Sequence, residues 1–433
     1  MPQPALYLCQ TTSRTSLLGA LAVALALGGA GLAYGEANPY YVGASQSFTH
    51  DSNLVRLADG VTLTQDQIDA GVIAKSDRIA TTSLFGGIDQ PFGRQRFYAN
   101  AAVHYSRFSE NTIYDNTGYA LATGLDWSTR ERISGRLRAS SNQKLASFNL
   151  NETVGGSSTA RIATKRNSQT TDQLSAVFRI GTVTPLTLES EVRHMQLDYS
   201  LDDFKFREFN QNSVDFRGRY RSSSQLTLGS GLRLTRGRYP LTTNKFTGRY
   251  LDLTAAWAAS GLSTIKGRLS LGRTKHSRFT QKTSTRATGS LDWNWLLTGK
   301  LRMRTHLRRD TGEDSIFASD DDSAVIGVSE NSRVTTTILA AGQYQATDKI
   351  SLNASLSYAR RSLFDSRAQS IGAQLRDGSD RTRVVRFGAS YAPARSVQLS
   401  CNLSRESRSA SGELSSAYSA NVSRCSAQFT LGR

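Results

Sequence analysis

Residues 290–306 read SLDWNWLLTGKLRMRTH. Leu291, Trp293 and Trp295 alternate with Ser290, Asp292 and Asn294. After a short Leu-Thr-Gly break, Leu301, Met303 and Thr305 alternate with Lys300, Arg302, Arg304 and His306. Side chains on a strand point to opposite faces with a period of two, so each arm reads as a strand with one apolar and one charged face. A break this short joins antiparallel neighbours. The pattern recurs in both directions along the chain. Val214, Phe216, Gly218 and Tyr220 alternate with Asp215, Arg217, Arg219 and Arg221. Ile350, Leu352, Ala354, Leu356 and Tyr358 alternate with Ser351, Asn353, Ser355 and Ser357.

Extended over the whole chain, the alternation predicts eighteen strands, at 38–50, 76–90, 94–109, 114–128, 133–148, 169–181, 184–201, 205–221, 225–239, 245–259, 263–277, 281–296, 299–312, 329–347, 349–365, 378–392, 395–409 and 414–431. Connections after even-numbered strands are short, such as Pro91-Phe92-Gly93, Thr182-Val183 and Pro393-Ala394. The long ones, near 51–75, 149–168, 313–328 and 366–377, all follow odd-numbered strands. Short periplasmic turns, long outer loops and an even strand count, with both termini in the periplasm, are the asymmetry of an outer-membrane barrel. The expected fold class is all-β: a transmembrane antiparallel up-and-down β-barrel of about 18 strands. Closure matters because an open sheet edge would leave backbone groups unpaired in lipid. Trp127, Trp257, Trp293 and Trp295 each lie within a few residues of a short turn, which predicts a periplasmic aromatic girdle. A soluble β-sandwich with tryptophans in its core is the competing reading.

The 433-residue chain carries 53 Lys+Arg against 35 Asp+Glu, a net charge of +18. Such an excess first suggests nucleic acid. The first residues argue otherwise. Residues 1–35 hold a single basic residue, Arg14, and no acid; a run from Leu17 to Ala33 is rich in Leu, Ala, Val and Gly and ends at Ala33-Tyr34-Gly35. This predicts a cleaved secretory signal peptide at 1–35, cut after Gly35 or at the neighbouring Ala33 or Ala37, with a retained membrane anchor as the alternative. Residues 36–433 are then the exported barrel of a Gram-negative outer membrane, with no nucleic-acid partner and with outer-membrane lipid around it. The polar segment 51–75 would either fold into the lumen as a constriction or sit outside as a lid.

If the apolar faces meet lipid, the alternate residues line the lumen. Arg136, Arg138, Arg179, Arg193, Arg217, Arg219, Arg233, Lys266, Arg268, Arg302 and Arg304 fall on that face. Glu189, Glu191, Asp126, Asp215, Asp252 and Asp292 partly offset them. Two readings follow: the charges brace the wall, or they form an anion-selective path through their summed field. Cys401 and Cys425 fall nearly opposite each other on the last two strands and are candidates for a cross-strand disulfide. No enzyme is expected. His50, His104, His194, His276 and His306 are scattered without metal-ligand spacing, and no phosphate-binding glycine fingerprint is present. No cofactor or bound metal is expected; the loop run Asp320-Asp321-Asp322 reads as a solvated acidic stretch.

Three further stretches carry a resemblance. They are Ser47-Phe48-Thr49-His50-Asp51-Ser52-Asn53-Leu54-Val55-Arg56; Gly93-Arg94-Gln95 before an aromatic-rich strand; and Tyr114-Asp115-Asn116 leading into Tyr119, Leu121 and Leu125-Asp126-Trp127. Here the chain resembles the EpsL-type outer-membrane barrels of exopolysaccharide biosynthesis operons associated with exosortase/PEP-CTERM systems. The resemblance extends over most of the exported chain and implies export of an exopolysaccharide, expected to be anionic, with help from periplasmic polysaccharide-export proteins. It brings no catalytic residues. The end of the chain, Phe429-Thr430-Leu431-Gly432-Arg433, departs from the terminal aromatic usual in such barrels. A porin for small solutes, general or anion-selective, and a structural sleeve or surface anchor are the alternative functions.

Overall fold

The computed structural model describes residues 38–129, 132–146, 148, 162–241, 243–277, 284–311, 332–364, 377–412 and 414–432. The expected signal peptide at 1–35 and the Asp320–Asp322 run lie outside these residues. Each apolar–polar alternation becomes one strand: β1 (Tyr40–Asp51), β2 (Asp77–Phe92), β3 (Gln95–Phe108), β4 (Asn116–Ser128), β5 (Ile133–Leu145), β6 (Ser168–Ile180), β7 (Leu186–Tyr199), β8 (Phe209–Arg221), β9 (Leu226–Tyr239), β10 (Asn244–Ser260), β11 (Ser263–His276), β12 (Ser284–Leu296), β13 (Leu301–Asp310), β14 (Ser332–Gln345), β15 (Ile350–Phe364), β16 (Asp377–Ala394), β17 (Val397–Ser411) and β18 (Tyr418–Leu431). Every strand pairs antiparallel with the next, and β1 pairs with β18. The result is one closed, all-β, up-and-down barrel of 18 strands. The strand expected from 205 starts only at Phe209, because Asp202–Arg207 form a 3-10 turn that buries Phe204 and Phe206.

The register fixes which way each side chain points. Leu251 stands opposite Leu232 on β9 and Leu271 on β11, so all three share a face. That face is apolar and uncovered around the barrel: Phe48, Leu84, Phe387 and Leu403 are each at least 60 % exposed. Water would penalise such a surface at about 25 cal/mol per Å², whereas lipid does not. No helix among the described residues is long and apolar enough to cross a membrane; the crossing is made by strands. A closed barrel with an apolar outer band and charged residues inside is a transmembrane outer-membrane barrel. The competing sandwich fails because the apolar faces meet no second sheet.

The four tryptophans lie on the outer face beside short turns. Trp293 and Trp295 stack with ring centroids 5.2 Å apart. The Trp127 indole lies over Gly135, where a Cβ would come within 2.5 Å of the ring. Tyr220, Tyr344 and Tyr391 are exposed on the same face near the same end. They extend the aromatic level and were not singled out in the sequence.

At the opposite rim, the segment after β1 carries a small core of its own. A short helix, α1 (Gln65–Asp69), is held by a capping box between Thr64 and Gln67, which satisfies two orphan backbone N–H groups. Leu54, Val55, Leu57 and Val72 bury against Phe108, Tyr114 and Ile162. Phe108 stands opposite Ile79 on the lumen side of β3 and β2, so the segment packs on the inner side of the extracellular rim. Arg56 ties it down with ion pairs to Asp51 (2.8 Å) and Glu406 (3.2 Å) and by lying over the Tyr418 ring. The Tyr114 hydroxyl donates to the Ala163 carbonyl at 2.7 Å, and burial pushes its phenol up from its ordinary value.

Candidate channel lumen

The lumen has two unlike walls, and each follows from the polar residues of its strands. On the first wall, β6 to β13, arginine recurs where the lipid-facing neighbours are Leu, Val, Phe or Ile. Neighbouring strands bring acids between these arginines. Arg179 stands opposite Glu189, which stands opposite Arg217. The Glu189 carboxylate accepts from Arg179 at 2.7 Å, Arg219 at 2.9 Å and Arg217 at 3.2 Å, and its side chain is 4 % exposed. Arg217 also reaches Asp215 at 3.0 Å. Further round, Asp252 accepts from Arg233 at 3.0 Å and Arg268 at 2.8 Å. The Arg233 guanidinium lies 4.1 Å from the centre of the Tyr250 ring. Asp292 meets His306 at 2.7 Å and Arg304 at 3.7 Å, and Asp310 accepts from Arg308 at 2.6 Å.

These contacts form a ladder of alternating sign in which cations exceed acids. The surplus is identifiable. Lys266 and Arg302 are exposed to the lumen and form no ion pair among the described residues. Arg221, at the periplasmic end of β8, is likewise exposed and without an ion pair among them.

The second wall, β14 to β17, presents Thr337, Gln343, Asn353, Ser355, Ser400 and Asn402. These groups bond to one another or to β18: Ser351 with Ser390 at 2.6 Å, Ser400 with Ser426 at 2.8 Å, and Asn353 donating to Asn402 at 3.4 Å. Among the described residues, Arg386 is the one cation of this wall within the cavity between them, whose volume is 1760 Å³. The cavity takes in Arg179, Arg217, Arg219, Lys266, Arg268, Arg302 and Arg304. Guanidinium and ammonium groups recognise carboxylate and phosphate. Hydroxyls and amides both donate and accept.

The remaining basic residues expected on the lumen face are also on it, with different surroundings. Arg136 pairs with Asp126 at 2.6 Å near the periplasmic mouth, and Arg193 pairs with Glu191 at 2.5 Å. Arg138 lies one pleat beyond Arg136 on β5. Arg233 corrects the expectation that it lines the channel: its side chain is 2 % exposed, sealed by Asp252 and Tyr250, so it braces the wall. His306, read on the charged face of its strand, lines the cavity, as do Arg308 and Arg386; the two arginines were passed over in the sequence, although both obey the same period of two. Cys401 and Cys425 stand opposite each other on the lipid face of β17 and β18, with Cα atoms 4.1 Å apart and the sulfurs joined as a disulfide.

No protein-family model matches the chain, and no curated protein sequence matches it. Solved structures do resemble it. The outer membrane protein OpdK from Pseudomonas aeruginosa shares 11 % identity at a TM-score of 0.48, covering 90 % of this chain and 99 % of that one. OccK2 (OpdF) from the same organism shares 11 % at 0.48, covering 91 % and 98 %. The FrpB iron transporter from Neisseria meningitidis shares 10 % at 0.43, covering 87 % and 63 %. At this distance the reading of the pore rests on its own residues.

Proposed function

We propose that the barrel is a passive, anion-selective porin for small solutes of the carboxylate or phosphate class. The observation that carries this reading is the asymmetry of the cavity. One wall holds a cation surplus, with Lys266 and Arg302 unpaired among the described residues; the facing wall is lined mainly by neutral hydroxyls and amides, with Arg386 its one cation in the cavity among the described residues. A solute between them meets the stronger positive field on one side and mainly uncharged hydrogen-bonding groups, with the single cation Arg386, on the other. Such a field concentrates anions. Paired arginines hold the surplus in place, because each shared carboxylate fixes two or three guanidiniums at once.

The test is a planar-bilayer recording of the purified barrel in a KCl gradient. The expected reversal potential favours chloride, and Lys266→Gln with Arg302→Gln moves it toward zero. A cation preference, or no conductance at all, overturns the reading; the latter result would fit a structural sleeve or anchor. Export of an anionic exopolysaccharide is the second reading. The resemblance at Ser47–Arg56 and Tyr114–Trp127 favours it, as does a hydroxyl-rich wall able to bond a hydroxylated polymer. It requires periplasmic partners, and deletion should then abolish secreted polysaccharide. Unchanged secretion on deletion, together with large partner-free conductance, selects the porin.

A further inference from the structure

The lumen does not hold all of the basic excess. At the extracellular ends of β9, β10 and β11, register parity turns Arg236, Arg238, Lys245, Arg249, Arg273 and Lys275 outward, on the face whose next rows are Leu234, Leu251 and Leu271. All six cations are exposed, and none forms an ion pair among the described residues. Arg238 has one polar side-chain contact, donating to Asn210 at 3.2 Å. Two of the cross-strand pairs are like-charged: Arg238 opposite Lys245, and Arg249 opposite Arg273. The arrangement recurs on the same face at β15 and β16, where Arg360 stands opposite Arg381. Like charges directly opposite each other destabilise a sheet. Three such pairs in one rim therefore call for an anion supplied from outside the chain.

The height of the rim indicates which anion. On β10, Arg249 lies eight residues from the girdle residue Trp257, and Lys245 lies twelve. At about 3.3 Å per residue and a strand tilt of about 40°, they stand about 20 Å and about 30 Å above it. These heights bracket the top of an apolar band about 25 Å tall. The cations sit where lipid tails give way to headgroups, and their stems can snorkel up to that level. We propose that this outer rim is a binding site for phosphate-bearing lipid headgroups of the outer leaflet, the phosphates bridging the like-charged pairs. Guanidinium pairs suit phosphate because each can give it two parallel N–H bonds. This site is separate from the lumen and does not depend on what the channel carries.

The experiment uses the full barrel in nonionic detergent with three probes: lipid A carrying two phosphates, the same lipid dephosphorylated, and inorganic phosphate. The wild-type barrel is expected to hold the phosphorylated lipid at least tenfold more tightly than the dephosphorylated one. The variant Arg238→Gln/Lys245→Gln/Arg249→Gln/Arg273→Gln should lose that preference, while Lys266→Gln/Arg302→Gln in the lumen retains it. Thermal unfolding supplies a second sign. Without lipid A the rim variant should unfold at a higher temperature than wild type, since repulsion is relieved; with lipid A the order should reverse. If the fourfold variant does not fold, Arg249→Gln/Arg273→Gln carries the same test at reduced size. Equal binding of phosphorylated lipid by wild type and rim variant overturns the proposal. So does equal stabilisation by inorganic phosphate, or self-association through this face without lipid preference.

Discussion

The two walls of the lumen share one backbone plan and differ in what holds their side chains. From β6 to β13 the wall is cross-linked by charge: Glu189 binds three arginines and Asp252 binds two. From β14 to β17 the stretch that lines the cavity is held by neutral bonds such as Ser351 to Ser390, and the buried Arg361–Asp380 pair at 2.6 Å lies beyond it, toward the extracellular rim. A charged ladder costs desolvation and is stable only while complete, because removing one member strands the others in a poorly solvated wall. A neutral wall loses little when one hydroxyl goes. Selectivity and fragility should therefore belong to the same side of the barrel.

The largest expected effect breaks that contrast directly. Asp252→Ala removes the buried carboxylate that Arg233 and Arg268 share and should cost about 3–5 kcal/mol, read as a lower denaturant midpoint of the barrel in detergent. Ser355→Ala on the facing wall should stay within about 0.5 kcal/mol. Equal losses would show that the walls do not differ in kind. Next, Lys266→Gln with Arg302→Gln should lower the chloride-to-potassium permeability ratio several-fold with little change in stability. If the ratio holds, the ladder is scaffolding only. Placing charge on the neutral wall, with Asn353→Arg, should raise anion preference by a smaller factor, because Arg386 already serves that side. The smallest effect is environmental. Raising salt from 0.1 M to 1 M shortens the screening length from about 10 Å to about 3 Å, so selectivity should fall toward unity on wild type and change little in the Lys266/Arg302 variant.

The fold was legible almost entirely. Alternation located all eighteen strands to within a few residues, since a period of two needs no partner to be read. It failed where local packing overrode it, as at Phe204 and Phe206, whose 3-10 turn shortens the start of β8. The Thr64-Gln65-Asp66-Gln67 stretch carried the signature of a capping box, yet the segment around it read as a polar loop because its apolar residues are spaced irregularly. For the lumen, the face taken by each arginine can be read from its apolar neighbours. Whether that arginine is free cannot. Arg233 and Arg302 look alike in sequence; one is sealed between Asp252 and Tyr250, and the other faces the cavity.

By itself, then, the sequence determined the strand number, the two-faced character of each strand and the side on which long loops lie, because these depend on intervals along one chain. Only the tertiary structure decided where the charge acts. Register sets which carboxylate meets which guanidinium, and barrel height sets where leucine gives way to arginine on the outer face. Arg236 and Arg238 continue the row of Leu232 and Leu234, so the same alternation that turns Arg217 into the lumen turns them toward the lipid. Charge in a barrel has meaning only relative to its neighbours and to the membrane plane, and neither is written along a single strand.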